Sequence, residues 1–166
     1  MKKTELKRIF EESFGFLITD YGFILVSSKS ESWGYKLVAK NATTGIEIID
    51  EFREAYIEII LYRLVGGEII NNVNDAIRNG EPILGFGLGW VIKLKNPDDQ
   101  IKPVYEYGLK SPFYDENNGR KNYTEFVASK LKEYASDIIS GDFSSFPTLD
   151  TMVKEYWKEY QKSHGK

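Results

Sequence analysis

The densest group of side chains able to do chemistry is Asp50-Glu51-Phe52-Arg53-Glu54, which sets three carboxylates beside a guanidinium in one short segment. Paired carboxylates can share acid–base work or hold a hard cation. This segment lies between two expected strands, where charged residues commonly form a solvated turn with an ion pair inside it, and surface ion clusters contribute little. Site and solvated turn both stay open for Asp50, Glu51, Arg53 and Glu54.

Gly85-Phe86-Gly87-Leu88-Gly89-Trp90 is the next candidate. A phosphate loop needs backbone amides turned toward the phosphates at a helix N-terminus, with a nearby base or a downstream acid. Here glycine alternates strictly with Phe, Leu and Trp, and no strand, glycine loop and helix follow in order. The alternation fits a strand whose bare face lets another element approach closely. Nucleophilic catalysis has no support either, since isolated Ser and Thr residues have no His or Lys base at a recognisable spacing. The chain has no cysteine, and its one histidine, His164, stands near the C-terminus. Disulfides, thiolate metal sites and histidine-based proton transfer are therefore poor expectations, and no cofactor is expected.

Aromatic residues are the other conspicuous chemistry. The chain holds 10 Phe, 11 Tyr and 3 Trp, which can fill a core or anchor a partner. Trp90, Tyr107, Phe113 and Tyr114, with Asp115 and Glu116 following, mark candidate partner-binding positions in the least regular part of the chain. Tyr156, Trp157 and Tyr160 lie beside Lys154, Lys158 and Lys162, but their helical spacing reads as core packing with a charged outer face.

These side chains must be held by elements that the hydrophobic pattern outlines. Leu6, Phe10, Phe14 and Leu17 share one face of a helix over 4–20 that Gly15 can break, and Asp20-Tyr21-Gly22 is its turn. Strands follow: Phe23–Ser28, a run from Trp33 to Ala39, Ile46 to Asp50, and Tyr56–Leu64. Asn41-Ala42-Thr43-Thr44-Gly45 is the loop of a hairpin. Short links require antiparallel pairing, and alternation along the strands suits a sheet covered on one face. The middle is irregular: a short helix over Glu68–Arg78, the glycine-rich run to Leu94, a strand near Val104–Tyr107, then loop over 108–121. Asn122 with Glu125 suggests the cap of a helix running to Ser140, stopped by Gly141. Pro147 opens a last helix to about Gln161. The fold expected is α+β: an antiparallel meander of four to six strands packed by an N-terminal helix and two C-terminal helices, in a single domain over 1–166.

The totals agree with a globular chain. Of 166 residues, 42% are hydrophobic and 28% charged, and the net charge is −3. A mildly acidic balance argues against nucleic acid as a partner. No run reaches the length of a membrane span, so no membrane partner is expected and the location expected is cytoplasmic.

The layout resembles small bacterial proteins encoded beside secreted polymorphic toxins, which act as their immunity proteins. The likeness rests on Phe10 to Leu17 leading into Asp20-Tyr21-Gly22-Phe23, on Lys40-Asn41, Ile46-Glu47-Ile48, Arg53-Glu54 and Ile57-Glu58-Ile59, and on Leu131-Lys132-Glu133-Tyr134-Ala135 running through Ile138 to Gly141-Asp142-Phe143-Ser144-Ser145-Phe146. It covers most of the chain in layout and carries no site residue across. It implies a cytoplasmic protein that binds and blocks a toxin. The function expected is a non-enzymatic protein-binding domain of that immunity type, with a homodimer as a further arrangement. The competing expectation is a small-molecule-binding domain or an enzyme, with a pocket between sheet and helices near Trp90, Arg53 and Glu51.

Overall fold

The computed structural model describes residues 2–165. The N-terminal amphipathic stretch forms two helices, α1 (Lys3–Ser13) and α2 (Phe16–Tyr21), and the chain breaks at Gly15. Gly22 ends α2 with a φ of 67°, a conformation that suits glycine. Four strands follow, β1 (Ile24–Ser30), β2 (Gly34–Lys40), β3 (Thr44–Glu51) and β4 (Tyr56–Arg63). A short fifth, β5 (Gly85–Gly87), completes a sheet of strictly sequential order, antiparallel throughout. The α+β meander read from the alternation is therefore the fold.

Register explains which face is covered. Leu37 pairs with Ile48, and Ile48 pairs with Ile59, so these three stand in a row across the sheet. That row, with Ile46, Ile57 and Leu61, is buried in one apolar cluster with residues of α1 and the later helices. The opposite face carries Lys36, Val38, Glu47, Ile49, Glu58 and Ile60, each half-buried or exposed. It remains largely open.

The C-terminal half supplies the covering layer. α3 (Val73–Asn79) and α4 (Leu88–Lys95) are short, whereas α5 (Gly119–Ile139) and α6 (Phe146–His164) are long. Leu131, Ile138 and Ile139 of α5 are fully buried, as is Leu149 of α6. The Asn41 side chain ties the β2–β3 hairpin to this layer. Its Oδ1 accepts from the Thr43 and Thr44 amides at 3.0 and 2.8 Å, and its Nδ2 donates to the Tyr21 and Ile139 carbonyls, each at 3.0 Å. Thr44 Oγ1 donates to the Ile138 carbonyl at 2.8 Å. The Ile139 carbonyl, left over at the end of α5, is thereby satisfied, and the Ile138 carbonyl, which also accepts from the Gly141 amide, gains a second donor.

Several expectations for the middle of the chain are corrected. The run from Gly85 is a three-residue strand that turns straight into α4, so a strand-to-helix order is present after all. The bare-face reading holds at Gly85, where a Cβ would stand 2.3 Å from the Tyr62 ring. Val104–Tyr107 is a 3-10 turn rather than a strand, because Pro103 before it cannot donate to a ladder. The helix expected from Asn122 begins at Gly119, and the Asn122 side chain donates to the Pro112 carbonyl instead of capping.

Candidate functional site

Asp50 is in phase with Ile46 and Ile48 along β3, so its carboxylate points into the covered side of the sheet and is 0% exposed. Arg120, in the first turn of α5, reaches it across the layer: Nη2 lies 2.5 Å from Oδ2. Beyond this contact neither Asp50 oxygen has a hydrogen-bond partner among the described residues. Burial pushes the Asp50 carboxyl up to about 6, and the Arg120 charge only partly offsets this. The Phe52 ring lies under the guanidinium, 4.8 Å from Cζ to centroid. Beside this group opens a cavity of about 410 Å³, walled by Lys3, Leu6, Ser30, Glu31, Gly34, Phe52 and Arg120. Glu51, Arg53 and Glu54 are exposed, as a solvated turn requires. Asp50 departs from that reading, and the signal that could have found it was its alternation with the buried isoleucines.

The expected grouping of Trp90, Arg53 and Glu51 does not form. Trp90 lines a separate cleft of about 360 Å³ with Tyr56, Glu58, Lys93, Ile101 and Tyr156, to which Arg53 and Glu51 contribute nothing. Tyr107 and Phe113 plug the edge of the core. Their ring centroids are 4.9 Å apart, and Phe113 lies 5.3 Å from Tyr123 and 5.1 Å from Phe126. The Tyr107 hydroxyl accepts from the Lys102 amide at 3.0 Å. Tyr114 and Glu116 are exposed, and Asp115 Oδ1 accepts from the Asn117 and Asn118 amides at 3.1 and 2.6 Å. The six candidate positions thus divide between a cleft wall, a core plug and a loop surface.

An exposed aromatic ladder was not anticipated. Tyr156, Trp157 and Tyr160 were expected to pack in the core, yet they are 46%, 38% and 42% exposed. Val153 is the last buried residue of α6, and residues 155–165 are all exposed. The rings meet edge to face instead: Trp90 to Tyr156 at 5.4 Å, Tyr156 to Trp157 at 5.6 Å, Trp157 to Tyr160 at 5.4 Å. Periodicity identified the stripe but not where the layer beneath it ends.

Beside the ladder, the open sheet face crowds acids. Glu58 pairs across from Ile49, so Glu47 and Glu51 flank it diagonally, a separation at which long side chains meet. The Glu58 carboxyl is held above its ordinary value, first by partial burial and then by Glu51 and Glu47. Lys36 answers only Glu47, at 3.0 Å. Among the described residues no group of three or more Asp, Glu or His side chains is placed to hold a metal ion, and no helix is long and apolar enough to cross a membrane. No protein-family model matches the chain, and no curated protein or solved structure is significantly similar to it.

Proposed function

We propose that this chain is a non-enzymatic protein-binding domain of the immunity type, which recognises its partner through the aromatic ladder and the acidic sheet face next to it. The observation that carries this reading is the ladder. Three large rings, each 38–46% exposed, line up along α6 past its last buried residue, Val153, and join Trp90 at the cleft. Tyr and Trp in such positions supply the anchors of protein interfaces. The crowded Glu47, Glu51 and Glu58 set the chemistry of the partner: a protein presenting an apolar groove with Lys or Arg on its rim. Such charges relieve the mutual repulsion of the three carboxylates and speed encounter.

The test is co-expression with the product of the adjacent gene, followed by purification of the pair and measurement of growth. A stable complex that restores growth, and that Trp157→Ala with Tyr160→Ala weakens at least ~10-fold, is the expected result, since aromatic anchors contribute on the order of 2 kcal/mol or more. No complex and no rescue would sink the proposal. A complex indifferent to both ladder substitutions and to Glu58→Gln would place the interface elsewhere and overturn this assignment of it.

A further inference from the structure

The cavity beside Arg120 is separate from the ladder and shares no wall with the Trp90 cleft. We infer that it is a binding site for a small organic monocarboxylate with an apolar or aromatic body.

Arg120 carries the argument. A guanidinium has five N–H donors; Nη2 of Arg120 is in contact with the Asp50 carboxylate, and among the described residues Nε and Nη1 have no hydrogen-bond partner. It is fixed from two sides all the same, by the buried Asp50 behind it and the Phe52 ring at 4.8 Å. The side chain is 22% exposed and forms part of the cavity wall. An arginine fixed in this way at a cavity wall, with donors left over beyond its contact to Asp50, is preorganised for a planar anion, which a guanidinium can grip with two parallel bonds.

The remaining wall narrows the class. Lys3 has no acidic partner among the described residues and adds a second cation, and Ser30 adds a hydroxyl. Leu6 and Phe52 offer apolar surface to the rest of the ligand. Glu31 on the same wall opposes a doubly charged phosphate and tolerates a single carboxylate better. The volume, about 410 Å³, lies in the range of small-molecule sites.

The test titrates the isotope-labelled protein with 3-phenylpropionate, with 2-phenylethylamine and inorganic phosphate as matched controls, followed by amide NMR shifts. Saturable shifts at residues 30–34, 52 and 120, with millimolar or tighter Kd for the carboxylate alone, are expected. Arg120→Lys keeps a cation beside Asp50 but loses the fork, and should weaken binding ~10-fold. Lys3→Gln and Glu31→Gln lie at the cavity wall, where neither threatens the fold. The first should weaken binding ~3-fold and the second strengthen it by a similar factor. No saturation, equal response to the amine or to phosphate, or shifts scattered over surface lysines would each overturn the assignment.

Discussion

Arg120 Nη2 stands 2.5 Å from Asp50 Oδ2, and this pair joins the end of β3 to the start of α5 beneath a fully covered sheet face. Arg120 is the one partner Asp50 has among the described residues, and its charge only partly offsets burial, which dominates the titration of the acid.

Stability should therefore depend on pH through Asp50 in a defined direction. The carboxyl titrates near 3.8 when free and near 6 in the fold, so the folded state holds its proton more tightly. The contribution of this group is complete below the lower value and is lost as pH rises through the upper one. Asp50→Asn has no such dependence. Between these limits the wild type should lose about 3 kcal/mol relative to the variant, then run parallel to it. Urea unfolding of both proteins across that window measures the difference. Parallel curves throughout would refute a raised Asp50.

Asn41→Ala should cost about 2 kcal/mol, because one side chain accepts two turn amides and donates to two carbonyls from distant parts of the chain. Asn41→Asp separates the two jobs. It keeps the acceptor that orders the turn, loses the donor to Tyr21 and Ile139, and should recover about half of that loss. Chemical denaturation of the three proteins checks the order.

Gly85→Ala places a methyl group where the buried Tyr62 ring already lies, with 2.3 Å between them. Tyr62 is the strand partner of Gly85 and is 1% exposed, so its ring has little room to move aside. Overpacking of this kind costs about 1–3 kcal/mol. The paired substitution Gly85→Ala with Tyr62→Leu should restore part of that loss, which a thermal melt would reveal.

Trp157→Ala and Tyr160→Ala should change stability by no more than about 1 kcal/mol each, since both side chains are only partly buried. A loss of several kcal/mol would mean that the ladder is core rather than contact surface.

The fold was largely legible because its strands obey a simple alternation. Ile57, Ile59 and Leu61 announced the buried side of β4, and Gly15 announced the break between α1 and α2. Where the sequence misled, the cause was contact between distant residues. Asp50 looked like part of a charged turn because Arg120 lies seventy positions further along the chain. The 85–90 run looked like one strand because a helix start rich in glycine has no local propensity to advertise it. Tyr156, Trp157 and Tyr160 obey the helical period perfectly well, but the period says only that they share a face, not that anything covers it.

The strictly sequential order of the sheet has a consequence for how the chain is made. Every strand pairs with its predecessor, so β1 to β4 can assemble as hairpins while the rest is still being synthesised on the ribosome. The apolar side of that nascent sheet has only α1 and α2 to cover it until α4, α5 and α6 emerge. Until then Ile48, Ile59 and Leu61 are incompletely covered, and a molecular chaperone would act in that interval.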